Sequence, residues 1–70
     1  MEYRNKVRQY RRQRDLTQED VAKKIGVSVP YLSQIESGKI NLTEKTMRKF
    51  SDFFGTPVAD IFFADNDRNA

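Results

Sequence analysis

Residues 16–38 read LTQEDVAKKIGVSVPYLSQIESG and contain the same helix-start pattern twice. An apolar residue precedes a Ser or Thr, and a second apolar residue follows four positions after that hydroxyl. The pattern occurs three times in the chain, at Leu16-Thr17 with Val21, Val27-Ser28 with Leu32, and Leu42-Thr43 with Met47. An N-cap hydroxyl accepts a hydrogen bond from a free backbone N–H, and the two apolar residues form a hydrophobic staple. The pattern therefore predicts helices that begin near residues 18, 29 and 44.

Glycines mark the ends of these helices. Each follows a helical run at the point where a left-handed residue is needed, and the three are Gly26, Gly38 and Gly55. The predicted helices span residues 18–25, 29–37 and 44–54. Asp20 lies three residues after Thr17 and can complete a capping box. We therefore interpret Glu19 and Asp20 as acids that suit the positive end of a helix, not as a catalytic pair.

Two further helices are predicted at the ends of the chain. Apolar residues with helical spacing indicate one over about residues 3–14. Thr56 as the N-cap and Pro57 as the first helical residue predict the start of a short second one. The candidate core residues are Val7, Tyr10, Leu16, Val21, Ala22, Ile25, Val27, Leu32, Ile35, Met47, Phe50, Phe54, Val58, Ile61 and Phe62. The sequence predicts a compact, all-α, five-helix domain over residues 1–64 and a disordered tail over residues 65–70.

Composition excludes several classes of function. The chain of 70 residues contains no Cys and no His, which excludes disulfides, the usual zinc sites and Ser-His or Cys-His nucleophiles. No stretch approaches the roughly 18 apolar residues that span a bilayer. The sequence has neither a phosphate-cradling glycine loop nor a cluster of metal ligands. We expect a cytoplasmic protein that is not an enzyme and carries no cofactor.

Charge is distributed unevenly along the chain. Residues 1–14 contain six bases and one acid, whereas residues 52–70 contain one base and four acids. A basic surface permits binding to nucleic acid, but a basic run is equally typical of a solvated helix face. Charge alone therefore leaves both interpretations open.

The helices predicted at 18–25 and 29–37 are joined by only three residues, Gly26-Val27-Ser28, and form a helix-turn-helix unit. If Leu32 and Ile35 point inward, the second helix turns one stripe outward. The stripe consists of Ser28, Val29, Pro30, Ser33, Gln34 and Ser37. It has no charge although a third of the chain is charged, and amides, hydroxyls and methyl groups suit the base edges of a DNA major groove. The alternative is a helical hairpin that never touches DNA.

The segments LTQEDVAKKIGVS, YLSQIESGK and FGTPVADIF resemble the lambda repressor and Cro-like family of helix-turn-helix domains, also called the xenobiotic-response-element family. The resemblance spans about residues 4–63. It implies that the second helix of the unit lies in the major groove with Ser28, Val29, Pro30, Ser33 and Gln34 at the bases. Gln34 is the strongest candidate, since its amide can pair with adenine N6 and N7. Val29 and Pro30 depart from the usual polar residues and either contact thymine methyl groups or only shape the surface.

The resemblance also implies phosphate contacts from Thr17, Gln18, Ser37, Lys39, Asn41 and Lys45. For Gln18 and Lys45 the alternative is an exposed residue without a role. Arg11 and Glu36 occupy the positions of a family ion pair that would tie the first helix to the recognition helix, and Arg11 could also reach a phosphate. Removing one partner is expected to cost roughly 3 kcal/mol.

One small domain covers little DNA, so we expect a homodimer on an inverted repeat. Its predicted contact surface contains Phe53, Phe62 and Phe63. The expected function is that of a transcriptional repressor of phage, plasmid or mobile-element type, associated with the nucleoid when bound to DNA; a suitably placed site would instead give activation. The alternative function is an antitoxin-like or anti-repressor-like interaction module with an unknown protein partner and secondary DNA binding.

Overall fold

The computed structural model of the chain describes residues 3–63, which form five helices and no strand. The helices are α1 (Val7–Gln13), α2 (Gln18–Ile25), α3 (Val29–Glu36), α4 (Glu44–Phe54) and α5 (Val58–Phe62). This confirms the predicted all-α, five-helix class. The tail predicted for residues 65–70, and with it the domain end at residue 64, lies outside the described residues.

Hydroxyl caps begin the three central helices, as predicted. The Asp20 N–H donates to the Thr17 hydroxyl (3.0 Å), and the Thr17 N–H donates back to the Asp20 carboxylate (3.0 Å), which completes a capping box. The hydrogen bond that the carboxylate accepts from the Thr17 N–H, together with the adjacent Thr17 side chain, holds the pKa of Asp20 below its ordinary value. Ser28 caps α3 and Thr43 caps α4 in the same way. Local chemistry therefore accounts for where these helices start.

The helix ends follow the glycines, with one correction. Gly26 (φ 90°) and Gly55 (φ 66°) adopt the left-handed conformation after α2 and α4. The third helix stops at Glu36, one residue before the predicted end, because Ser37 is its C-cap. At the end of α1 the left-handed residue is Asp15 (φ 55°), a role that aspartate tolerates better than most side chains.

The first helix is shorter than predicted, because residues 3–6 are not helical. The Tyr3 N–H donates to the Gly38 carbonyl (2.8 Å), and the Lys6 N–H donates to the Ile61 carbonyl (2.7 Å). These two backbone N–H groups donate to carbonyls in distant parts of the chain and not to their own neighbours, so α1 begins only at Val7.

The fifth helix also starts later than predicted. Its N-cap is Pro57, whereas Thr56 was expected to cap the helix with Pro57 as its first residue. The Thr56 hydroxyl instead donates backward, to the Phe54 carbonyl (3.3 Å). The Thr56 side chain is thus oriented toward the preceding turn, and α5 begins without a side-chain cap hydrogen bond.

The core lies where α2 packs against α3 and α4, and where α5 packs against α1 and α4. Its buried residues are Val7, Val21, Ala22, Ile25, Leu32, Ile35, Leu42, Phe50, Phe54, Ile61 and Phe62. Leu42 was missing from the predicted core. The other predicted members are half-buried against it, and these are Tyr10, Leu16, Val27, Met47 and Val58. The result is one continuous core that holds α3 by a single side.

Candidate nucleic-acid interface

Helix α3 shows two very different sides. Leu32 and Ile35 have no exposed surface and anchor the helix to the core. The predicted outward stripe is exposed at Ser28, Pro30, Ser33, Gln34 and Ser37. The stripe therefore lies at the surface of the domain, as a contact with DNA requires.

Three members of the stripe have additional structural contacts. Val29 is only half-buried because it packs against the core, so part of its side chain faces outward. The Ser28 hydroxyl accepts from the Tyr31 N–H (3.2 Å), and the Ser37 hydroxyl donates to the Gln34 carbonyl (3.1 Å). Base contacts from Ser28 and Val29 and a phosphate contact from Ser37 stay predictions, and the hydroxyls of the two serines would share such contacts with a structural hydrogen bond.

The predicted phosphate-contacting residues fall into two groups. Ser37, Lys39 and Asn41 are exposed between α3 and α4, and Lys45 is exposed in the first turn of α4. Thr17 and Gln18 stand at the start of α2. The Gln18 amide donates to the Glu36 carboxylate (Nε2 to Oε1, 3.1 Å), which brings the start of α2 beside the end of α3.

Glu36 is the buried centre of a cluster that also contains the buried Arg11, the half-buried Gln18 and the exposed Arg8, and we call it the Glu36 cluster. Arg11 donates through Nε to Oε2 (2.7 Å) and through Nη2 to Oε1 (3.2 Å) of Glu36. Its Nη1 donates to the Leu16 carbonyl (2.9 Å). The Arg8 Nε donates to Glu36 Oε1 as well (3.3 Å). One carboxylate thus joins α1, α2 and α3.

The Glu36 carboxylate is ionised despite its burial. Its side chain has no exposed surface, and that of Arg11 is 11% exposed. Burial raises the pKa of Glu36. The hydrogen bonds from Arg11, Gln18 and Arg8, together with the charge of Arg11, lower this pKa by more than burial raises it, so the net shift is downward. Within residues 3–63 no buried side-chain nitrogen or oxygen lacks a hydrogen-bond partner. The pair is therefore fully compensated, which a buried ion pair needs to be tolerated.

The sequence indicated only part of this cluster. Arg11 and Glu36 meet at the positions that the resemblance implied. Gln18 was predicted to face phosphate and Arg8 was given no role, yet both contact Glu36. The available signal for Arg8 was its spacing, since residues three apart lie on one face of a helix and Arg8 precedes Arg11 by three positions.

The three phenylalanines predicted for a subunit contact differ in exposure. Phe63 is 46% exposed, and Phe53 is half-buried with its ring 5.2 Å from that of Phe54. Phe62 is only 9% exposed, and its ring packs edge-on against Phe50 (5.9 Å). The prediction of a contact surface at Phe62 is therefore corrected, because the monomer core already covers that side chain.

Over residues 3–63, no helix has the length and apolarity needed to cross a membrane. The same residues contain no group of acidic, His or Cys side chains placed to hold a metal ion.

Comparisons with known proteins agree with this geometry. A family model described as "Helix-turn-helix" matches residues 7–61. The chain is 44% identical over 63 residues to an uncharacterized HTH-type transcriptional regulator of Methanocaldococcus jannaschii, with 90% of this chain and 96% of that protein covered. It is 31% identical to a regulator of the same description from Archaeoglobus fulgidus, with 91% of each chain covered.

A third relative is the cryptic phage CTXphi transcriptional repressor RstR of Vibrio cholerae. It is 35% identical over 65 residues, which cover 93% of this chain and 58% of that protein. The match of the family model over most of the chain agrees with the five helices, the helix-turn-helix of α2 and α3 and the exposed face of α3. The chain therefore belongs to the lambda repressor-like helix-turn-helix family, and this family together with the names of these relatives identifies it as a DNA-binding regulator and not an enzyme.

Proposed function

We propose that this protein is a sequence-specific transcriptional regulator, a repressor that binds an inverted-repeat operator as a homodimer with α3 in the major groove. The observation that carries the proposal is the outward side of α3. Its exposed residues are uncharged in a chain of which a third is charged, and they stand on a helix whose opposite side is fixed in the core.

The chemistry of this side suits the recognition of base edges. Gln34 presents an amide that both donates and accepts, the pattern needed to pair with adenine N6 and N7. Ser33 adds a hydroxyl that accepts or donates, and Pro30 offers an apolar surface for a thymine methyl group. Docking such a side strips water from neutral groups only, which costs less free energy than the burial of unpaired charges.

Groups that favour phosphate flank α3. Lys39 and Lys45 are exposed after its C-terminal end, and the start of α2 carries free backbone N–H groups at the positive end of the helix. Because the Gln18 amide nitrogen is engaged with Glu36, we assign the phosphate contact at this point to the Gln18 backbone N–H and the Thr17 hydroxyl. These contacts would set the register of α3 on the duplex without reading sequence.

A single domain of this size supplies a small DNA interface, about 600–1,000 Å². Two copies would double it, and the exposed Phe63 with the neighbouring, half-buried Phe53 is the surface proposed for their contact. Repression would follow if the bound dimer covers a promoter. The phage repressor among the relatives supports this sign of regulation.

The decisive experiment is selection of bound sequences from random duplex DNA, with wild-type protein and with Gln34→Ala. We expect an inverted repeat with half-site centres about 34–36 Å apart, one helical turn. Gln34→Ala should relax selection at one symmetric position per half-site, with roughly 1–3 kcal/mol of discrimination lost there. Gln13→Ala is the matched control, because Gln13 is an exposed amide on α1 outside the proposed interface.

Other outcomes would overturn parts of the proposal. Uniform weakening by Gln34→Ala across all sequences would assign Gln34 to the phosphate backbone. Enrichment of one isolated half-site would contradict the dimer. Binding that appears only with an added protein partner, or that does not fall steeply with salt concentration, would favour the interaction-module alternative.

A further inference from the structure

Residues 3–6 form a strap across the end of the recognition helix. Besides the bond from the Tyr3 N–H to the Gly38 carbonyl, the Asn5 side chain donates through Nδ2 to the Ile35 carbonyl (2.8 Å). The strap is anchored on its other side by the bond from the Lys6 N–H to the Ile61 carbonyl. The last turn of α3 is therefore held by a segment some thirty residues away in sequence.

Asn5 has two functions in this arrangement. Its Oδ1 accepts from the Val7 N–H (3.0 Å), which satisfies a free donor at the start of α1. Its Nδ2 donates to the Ile35 carbonyl and, more weakly, to the Tyr3 carbonyl (3.2 Å). One half-buried amide thus connects the start of α1 to the end of α3.

The turn that the strap holds directly follows Gln34, on the side of α3 that we propose to face DNA. The Gly38 N–H donates to the Ile35 carbonyl (3.1 Å), and the Lys39 N–H donates to the Gln34 carbonyl (3.1 Å). Gly38 has φ 79°, and a Cβ added there would lie 3.3 Å from the Tyr3 carbonyl oxygen. Strap and turn are in close contact, so a displaced strap would displace the turn.

We infer that Asn5 is a positioning residue for DNA recognition, which sets the place of the last turn of α3 and thereby of Gln34 and Lys39. The inference rests on the proposed function. A recognition group needs its supporting residues to be fixed, since a displacement of about 1 Å is enough to lose a site. The Ile35 carbonyl accepts from backbone N–H groups of its own turn and from the Asn5 amide, and only the bond from Asn5 ties that turn to the start of α1.

The test is Asn5→Asp. An aspartate still accepts from the Val7 N–H, so the start of α1 keeps this hydrogen bond. An ionised aspartate, however, has no donor for the Ile35 carbonyl and sets a carboxylate against it. We expect the affinity for the selected duplex to fall about tenfold, because one part-buried hydrogen bond is lost and an acceptor is left opposed by another. The measurement is equilibrium binding at a temperature where circular dichroism shows the variant to be folded.

Gln9→Glu is the matched control. Gln9 is exposed on α1, one turn from Asn5, and the substitution makes the same change of charge without touching the strap. Its affinity should stay within about twofold of wild type at moderate salt. If Asn5→Asp is folded and binds as Gln9→Glu does, Asn5 has only a structural role and the inference is wrong.

A second measurement does not depend on DNA. In free Asn5→Asp, hydrogen exchange at the Gly38 and Lys39 amides should accelerate more than exchange in α4, because the opening is local. Asn5→Ala should show the same local acceleration, and it also removes the hydrogen bond to the Val7 N–H. Failure of wild-type protein to bind any duplex would refute the proposed function, whereas unchanged exchange at these two amides would refute the positioning by Asn5.

Discussion

The two sides of α3 reverse the usual distribution of charge on a surface helix. Glu36 is the only charged residue among the eight residues of α3, and it is buried. The outward residues Pro30, Ser33 and Gln34 are neutral. In α2 the distribution is the ordinary one, with exposed Lys23 and Lys24 on the helix that packs beside it. The difference shows that the exposed face of α3, unlike that of α2, lacks the charged residues typical of a face that contacts only water.

Each side of α3 has a physical reason. A charge on the outward side would have to be desolvated on docking, whereas amides and hydroxyls exchange water for base edges at small cost. The buried Glu36 has one arrangement, set by Arg11 and Gln18. The inner side of α3 therefore fixes the position of the helix, which leaves the outer side free for the base contacts that we propose.

Substitutions on the two sides of α3 test this difference, and the largest loss of unfolding free energy is expected on the inner side. Leu32→Ala removes a fully buried side chain and should cost roughly 2–5 kcal/mol of unfolding free energy. Ser33→Ala, on the adjacent outward position, should change stability by less than about 0.5 kcal/mol. Urea denaturation of both variants measures the difference.

Similar losses in the two variants would contradict the assignment of sides. If Leu32→Ala does not fold, Ile35→Val offers the same test at a smaller scale, with an expected loss of roughly 0.5–1.5 kcal/mol that still exceeds the effect of Ser33→Ala.

The next effect concerns the Glu36 cluster. Glu36→Ala leaves the Arg11 guanidinium buried without its partner and should cost roughly 3 kcal/mol. Glu44→Ala is the control, because Glu44 pairs with Arg48 at 2.8 Å but has a side chain that is 75% exposed. Its loss should stay below about 1 kcal/mol. Equal losses, or a Glu36→Ala variant with unchanged folding and DNA affinity, would show that the cluster does not orient α3.

The smallest effect is the dependence of stability on pH. The folded state holds the pKa of Glu36 below its ordinary value, so the unfolded state binds the proton first as pH falls. The stabilisation is complete above the unfolded pKa and is lost as pH drops through the folded one, so unfolding free energy should decline below about pH 5.

Glu36→Gln removes the titrating carboxylate and should flatten this decline. Part of the decline should persist, because the capping hydrogen bonds of Asp20 lower its pKa in the same direction. The measurement is unfolding free energy between pH 3 and pH 7, roughly the range in which carboxyls titrate. Parallel curves for wild type and Glu36→Gln would show that Glu36 does not contribute to the pH dependence of stability.

The sequence by itself determined the elements whose causes are local. The bounds of α2 and α4 follow from Thr17, Thr43 and the glycines after each helix, since caps and left-handed ends involve partners within about five residues. The outward stripe of α3 followed from the helical period once Leu32 and Ile35 were assigned to the core. The bounds of α2 and α4 and the outward face of α3 needed no knowledge of distant chain segments.

Only the tertiary structure decided where distant segments meet. The start of α1 was predicted four residues too early because Tyr3 and Lys6 bond to carbonyls more than thirty residues away. The engagement of Gln18 and Arg8 with Glu36 depends on how three helices pack, as does the burial of Leu42 and Phe62. Hydrogen bonds within one turn are encoded by spacing, but a bond between helices exists only after the core has brought them together.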